Sequence, residues 1–164
     1  MTLENIVLVI SGTLTGLLAG LLYAFNVAFV PALRSIKATE HIAAMQSLNK
    51  KIQNPVFFLS FFGPTVLLPL AAYLHRGGPQ FPLLVVAAGL HIIGANGVTI
   101  MGNLPLNDNL DKHNVSQLSE AEADQIRVEF QGAGKPWMQF HNIRTLAEVA
   151  ATALVFIACL SKSE

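Results

Sequence analysis

Charged side chains are scarce in this chain of 164 residues, of which only 12% are Asp, Glu, Lys or Arg. A water-soluble domain has roughly twice that share, so this chain could not cover a water-exposed surface. Ten basic and ten acidic residues give a formal net charge of zero. Without a long basic run to neutralise phosphates, the sequence argues against nucleic acid as a partner.

Cysteine is nearly absent as well, because Cys159 is the only one. A single thiol forms no intrachain disulfide, no Cys-x-x-Cys redox pair and no four-thiolate iron–sulfur site. What the chain does have is apolar surface, with 52% hydrophobic residues and a mean hydropathy of +0.51. This composition is typical of a protein embedded in lipid.

Four apolar runs approach the roughly 20 residues that cross a bilayer. They span residues 6–30, 55–74, 82–103 and 143–160. The first run has no Lys or Arg before it and is longer than the apolar core of a signal peptide, so we expect a retained helix. The sequence thus predicts an all-α fold: one integral membrane domain over residues 1–164, built as a four-helix transmembrane bundle. Amphipathic helices are expected in the two long connections.

The distribution of Lys and Arg predicts the orientation. The connections 31–54 and 104–144 hold four Lys or Arg each, whereas the opposite side has only Arg76 and Lys162. The positive-inside rule then places both connections in the cytoplasm and both termini outside, in a multi-pass protein of the inner (cytoplasmic) membrane.

Local signals predict several helix starts. Asn54 before a proline is typical of an N-cap, Thr39 is a candidate cap for the first connecting helix, and Ser119 with Glu122 has the spacing of a capping box. The row Gly12, Gly16, Gly20 predicts close packing of the first span against a neighbour.

Prolines predict helix ends and bends. Pro31 is expected to end the first helix and Pro105 to end or break the third, because proline lacks the backbone N–H that a helix interior needs. Pro64 and Pro69 lie inside the second span and favour a bend there.

The last span carries a polar stripe. Trp137, His141, Arg144 and Glu148 follow one another at spacings of 4, 3 and 4, which places them within roughly 60° of one another around a helix. Ionisable groups inside a span are costly and are candidate site residues by default. The structural alternative is an Arg144–Glu148 pair one turn apart that neutralises itself, with Trp137 as an interfacial anchor.

A second polar face lies on the third span. Asn96, Thr99 and Asn103 share one side of that helix, and Asn107 follows. Counting about 1.5 Å per residue places Asn96 level with Glu148. Two facing stripes would line a polar pocket that opens to the cytoplasm, unless these side chains only satisfy one another across the bundle.

A haem or metal site is not expected. His91 lies roughly 18 Å outward of Asn103, whereas His141 lies at the inner rim, so the two imidazoles cannot bind one iron. No other spacing of ligands suits a metal. A hydrogen bond from His91 to a neighbouring helix is the favoured interpretation.

Several segments, taken together, resemble the four-helix anthrone oxygenase-like membrane family, also called DUF1772. They are residues 25–33, 45–49, 97–99 and 103–108, and Trp137 with residues 141–145. Many members carry asparagine and histidine in the opposite order to His141-Asn142. The family pattern therefore leaves open which of the two occupies the functional position.

The resemblance implies oxidation of an anthrone to an anthraquinone by molecular oxygen, with no cofactor. Deprotonation of the acidic benzylic carbon gives an anion that reduces oxygen, so the protein supplies a base and a site for the oxyanion. We assign His141 as the base and Arg144 as the group that stabilises the oxyanion. The remaining roles are stacking by Trp137, hydrogen bonds from Asn103 and Asn107, lining of the pocket by Asn96, and orientation of Arg144 by Glu148.

Other functions stay open at this point. The chain could be a non-catalytic membrane module that binds a lipid or a quinone, or an accessory subunit. It could also be one half of a dimeric transporter, which the intramembrane Glu148 would suit. As partners we expect a small aromatic or lipid-like substrate and the membrane, and the sequence leaves a homo-oligomer open.

Overall fold

The computed structural model describes residues 2–161 and is all-helical. Its helices are α1 (Leu3–Arg34), α2 (Ala38–Lys51), α3 (Pro55–Leu74), α4 (Gln80–Asp111), α5 (Glu120–Gln131) and α6 (Pro136–Leu160). A single 3₁₀ turn, Val115–Gln117, joins α4 to α5. The predicted fold class is confirmed: α1, α3, α4 and α6 are long and apolar enough to cross a membrane, as expected of a multi-pass membrane protein.

The four long helices form a closed ring. Helix α1 packs between α3 and α6, and α4 closes the ring on the other side of both. At the end of the bundle away from α2 and α5, the core is apolar and includes Leu8, Leu68, Leu84 and Val155. The outward faces are also apolar, as shown by Ile93, which is 73% exposed. Apolar residues both inside and outside the bundle are typical of helices surrounded by lipid.

The row of glycines acts only in part as predicted, since a β-carbon on Gly20 would meet no heavy atom within 4 Å. A β-carbon on Gly12 would lie 3.1 Å from Val155, and one on Gly16 would lie 3.8 Å from Thr152. Both glycines therefore allow the backbone of α1 to approach α6 closely.

Helices α2 and α5 pack on each other and cover one end of the bundle; we call this pair the cap. Its apolar cluster includes Ile42, Met45, Phe130 and Trp137, the last of which belongs to α6. The cap is thus continuous with the polar stripe of the last helix.

Polar contacts also tie the two cap helices together. The Glu120 carboxylate accepts hydrogen bonds from the backbone N–H of Ala38 and from the hydroxyl of Thr39 (2.9 Å). These bonds favour the ionised carboxylate and lower the pKa of Glu120. A side chain of α5 therefore accepts from the first residues of α2. The prediction that Thr39 is the N-cap of α2 is wrong, since Thr39 lies within that helix.

A buried histidine lies inside the cap. His41 is 0% exposed, and its Nδ1 faces the backbone carbonyl of Leu33 at 3.0 Å. Burial is the main reason that the pKa of His41 is lowered, and the nearby cations Arg127 and Arg34 add to the effect.

The other predicted helix starts are confirmed. Asn54 accepts a hydrogen bond from the N–H of Phe57 at 3.0 Å and caps α3. Ser119 and Glu122 form the capping box of α5. Helix α6 begins at Pro136, seven residues before the predicted span.

The predicted ends at Pro31 and Pro105 are wrong, and the reason is the same for both. Val30 donates its N–H to the carbonyl of Phe25, and Leu104 donates to Thr99, in each case five residues back. These are π-helical turns, and a proline follows each directly. The wider turn removes the clash between the proline ring and the preceding turn, so both helices continue.

Candidate functional site

The polar stripe of α6 faces the protein interior. Trp137 is 2% exposed and His141 is 0% exposed, whereas their neighbour Asn142 is exposed. The Trp137 and His141 rings stack with centroids 4.9 Å apart and planes 19° from parallel. The guanidinium of Arg144 lies 5.9 Å from the Trp137 ring. These three side chains form one contiguous group, and histidine rather than asparagine occupies the inward position.

Arg144 has only neutral partners in this group. Its Nε and Nη2 lie 3.1 and 2.9 Å from Nδ1 of His141, and its Nη1 donates to the Thr99 hydroxyl at 3.2 Å. Within residues 2–161, no carboxylate lies within 4 Å of the guanidinium. Arg144 is half-buried, and a cation in a membrane-spanning helix without a counter-ion is costly, so Arg144 is a candidate anion-binding group.

The contact with Arg144 fixes the tautomer of His141. A guanidinium only donates hydrogen bonds, so Nδ1 accepts and the ring proton is on Nε2. This Nε2 lies toward the backbone of Leu22 and makes no hydrogen bond of normal geometry with the described residues. His141 therefore presents a buried donor that lacks a partner.

Two asparagines of α4 hold Trp137. Asn107 accepts a hydrogen bond from the indole Nε1–H at 2.7 Å, and Asn103 donates from Nδ2 to the backbone carbonyl of Trp137 at 3.0 Å. This bond fixes the orientation of the Asn103 amide. Its Oδ1 is then a fully buried acceptor without a partner among the described residues.

A second polar group surrounds His91, which is 0% exposed. Its Nδ1 lies 2.9 and 3.1 Å from the two carboxylate oxygens of Glu148, also 0% exposed. Its Nε2 lies 3.2 Å from Nδ2 of Asn96 and 3.3 Å from the hydroxyl of Thr65. The predicted hydrogen bond between His91 and neighbouring helices is confirmed, and it links α3, α4 and α6.

The role predicted for Glu148 is wrong. Glu148 pairs with His91 instead of orienting Arg144, and the alternative of an Arg144–Glu148 pair is equally absent from the described residues. The physical reason is that the Glu148 carboxylate lies opposite the fully buried imidazole of His91 on α4. Arg144, one turn away, turns toward His141 and Thr99.

The π-helical turns place the polar residues of the site. They cover Phe25–Phe29, Leu90–Gly97 and Thr99–Asn103. Because each turn adds about one residue to a helical turn, residues on either side no longer follow a 3.6-residue face. Asn96 therefore points to His91 and to Phe61 of α3 and leaves the predicted shared face, whereas Thr99 and Asn103 both contact the stripe of α6, as predicted. Such turns are frequent at functional sites.

The sequence did not identify His91 and Thr65 as members of a common group. The available signals were weak: a single histidine in a span, and a threonine close to a proline. Asn26 links α1 to α6, because its Nδ2 donates to the Thr145 hydroxyl at 3.2 Å.

The predicted opening of the site to the cytoplasm is not seen. The cap covers Trp137, and two grooves among the described residues lie elsewhere. One, of about 340 Å³, is lined by Gly12, Gly16 and Phe156, and the other, of about 410 Å³, by Tyr73 and Phe81. Both grooves are apolar.

The residues described do not gather three His, Cys, Asp or Glu side chains at metal-binding distance. The polar groups around His141 and His91 consist instead of paired side chains and of single donors and acceptors.

Comparison with known proteins identifies the family. The sequence profile described as anthrone oxygenase matches residues 57–154, which include most of α3, all of α4 and α5, and most of α6. The chain therefore belongs to the anthrone oxygenase family. Neither a curated protein nor a solved structure gives a significant match.

Proposed function

We propose that this protein is a membrane-embedded oxygenase that oxidises a phenolic, anthrone-like ring with molecular oxygen, and that Arg144 holds the substrate oxyanion. The observation that carries the proposal is the half-buried guanidinium, whose hydrogen-bond partners among the described residues are all neutral. Membership of the anthrone oxygenase family supports the reaction class.

Three further atoms support an oxygen-rich aromatic ligand. Nε2 of His141 is a donor, and Oδ1 of Asn103 and Oδ1 of Asn96 are acceptors, and all three are buried without partners among the described residues. Native proteins rarely leave buried polar atoms unpaired, so such atoms indicate a missing partner. A ring that carries both a carbonyl or phenolate and a hydroxyl would satisfy donor and acceptors together.

The chemistry is consistent with these groups. An anthrone-like methylene loses two hydrogens and gains one oxygen atom, and the second atom of O₂ leaves as water. Removal of the first proton moves negative charge onto the ring oxygen, and we propose that Arg144 stabilises this charge. The orientation inferred from the Lys and Arg distribution, with the cap in the cytoplasm, belongs to this proposal.

The bond from Arg144 changes the role we propose for His141. The sequence suggests a base, but Nδ1 of His141 already accepts from a cation and Nε2 carries the proton. His141 is therefore better suited to donate to the oxyanion than to remove a proton.

The test is quinone formation and oxygen uptake with 1,8-dihydroxyanthrone as the probe and the purified protein in detergent. We expect wild-type turnover above the spontaneous rate, and a loss of about 100- to 1,000-fold in kcat/KM for Arg144→Gln, as for other lost oxyanion donors. Arg76→Gln is the matched control, because Arg76 is exposed and stacks on Tyr73. Binding of the probe without turnover would contradict the oxygenase and favour the non-catalytic lipid- or quinone-binding module.

A further inference from the structure

The two membrane-buried histidines have opposite tautomers. At His91, the amide Nδ2 of Asn96 is fixed as a donor by its 2.8 Å bond to the carbonyl of Phe61. Because this nitrogen only donates, Nε2 of His91 accepts, and the ring proton lies on Nδ1, where it is donated to Glu148. His91 thus keeps a lone pair on Nε2, whereas the corresponding nitrogen of His141 carries a proton.

The neighbours of each ring decide which one accepts a further proton. A carboxylate behind an imidazole holds the tautomer and stabilises the imidazolium that forms on proton transfer. His91 has this arrangement with Glu148. His141 contacts the guanidinium of Arg144, and protonation there would bring two positive charges together.

The base and the oxyanion site border the same part of α4. Asn96 contacts Nε2 of His91, and Thr99, three residues further along, accepts from Arg144. Asn96 is 5% exposed, and its Oδ1 lacks a partner within residues 2–161, so an acceptor beside His91 is left for a polar atom of a ligand. In an anthrone, the acidic methylene and the carbonyl oxygen lie on opposite edges of one ring. A ring between the two groups would reach both.

From this geometry we propose that His91 is the catalytic base and that Glu148 is its positioning residue; the assignment rests on the function proposed above. Nε2 of His91 takes one proton from the methylene carbon, and the electron pair of the broken C–H bond moves into the ring and onto the oxygen held by Arg144. The carbanion gives one electron to O₂, and the radical and superoxide join as a peroxide. The peroxide takes a proton from the His91 imidazolium. Nε2 of His91 then removes the second proton of the former methylene carbon, the O–O bond breaks as the carbonyl forms, and the leaving hydroxide takes that proton and departs as water.

The experiment separates proton removal from oxidation. Methylene-deuterated 1,8-dihydroxyanthrone is incubated with the purified protein under argon in H₂O buffer, and loss of deuterium is followed by mass spectrometry; oxidation is then measured in air. We expect exchange above the buffer rate for the wild type. We expect a fall of at least about 100-fold for His91→Gln and Glu148→Gln, the scale of a lost general base.

Glu148 distinguishes the two histidines, since its carboxylate contacts His91 and not His141. Glu148→Gln keeps the shape but removes the negative charge that stabilises the imidazolium, whereas Glu148→Asp keeps the charge. Exchange that is better preserved in the Asp variant than in the Gln variant indicates a role of the carboxylate beyond packing. His75→Gln is the matched control, because His75 caps the far end of α3.

Each outcome is decisive. Unchanged deuterium exchange in Glu148→Gln or in a folded His91→Gln overturns the assignment of His91 as the base. If the wild-type protein oxidises the probe in air in the same experiment, the proposed function still stands. Wild-type exchange that depends on His91 and Glu148 without any oxidation supports the base and overturns the oxygenase. Wild-type exchange no faster than in buffer overturns the base assignment.

Discussion

The two buried histidines of the bundle show how neighbours decide the chemistry of one residue type. Both are 0% exposed. His91 has a carboxylate on one nitrogen and a lone pair that accepts from neutral neighbours on the other, whereas His141 has a guanidinium on one nitrogen and, among the described residues, an N–H without a hydrogen bond of normal geometry on the other. The first environment favours accepting a proton, and the second favours donating a hydrogen bond to an anion.

The largest effect is expected on the His91 side. Replacing His91 by leucine leaves Glu148 buried without its partner, which is expected to cost about 3–5 kcal/mol of unfolding free energy. The double variant His91→Leu/Glu148→Leu removes both polar groups and should recover most of the loss. Unfolding in mixed micelles, followed by the emission of Trp137, the only tryptophan, measures both. A double variant as unstable as the single one would contradict a mutually dependent pair.

A smaller effect is expected on the His141 side from Asn107→Ala. This change leaves the buried indole N–H of Trp137 without its acceptor, at a cost of about 1–3 kcal/mol, and loosens the ring on which His141 stacks. We expect a changed Trp137 emission and slower oxidation of the probe, but no change in the deuterium exchange that we assign to His91. The control is Asn109→Ala, which alters an exposed asparagine two residues away. Equal effects of the two variants would contradict the role of Asn107.

A third buried histidine, outside the membrane-spanning helices, sharpens the comparison through pH. In an opened cap, His41 titrates near 6.5, whereas in the closed cap burial lowers its pKa. The opened state then binds the proton more readily, so the contribution of His41 is complete above about pH 6.5 and is lost as the pH falls below it. Hydrogen exchange of α2 and α5 amides should speed up on acidification, and His41→Gln should weaken this dependence. The same acid dependence in the variant would contradict the assignment to His41.

The sequence predicts the scaffold well because its signals are local and strong. Long apolar runs define the four spans, and Asn54 and the Ser119–Glu122 pair mark helix starts by backbone chemistry alone. The stripe of Trp137, His141 and Arg144 is also predicted, since α6 keeps a regular helical period over those residues.

The errors in the site have one main physical source. The π-helical turns in α1 and α4 rotate later residues away from a regular face and carry the helices through Pro31 and Pro105. Nothing in a 3.6-residue period reports such a turn. The partner of Glu148 was missed for a different reason: the choice between Arg144 and His91 depends on the contact between α4 and α6, which no local pattern encodes.

The most direct test of the central claim, that Arg144 holds an aromatic oxyanion next to Trp137, is a binding titration. The unreactive product analogue 1,8-dihydroxyanthraquinone is added to the purified protein, and quenching of Trp137 emission is followed. We predict saturable quenching in the wild type and in Arg76→Gln, and a Kd at least about tenfold weaker in Arg144→Gln, which corresponds to the loss of a charge-assisted hydrogen bond. Identical titrations of the wild type and Arg144→Gln would contradict the account.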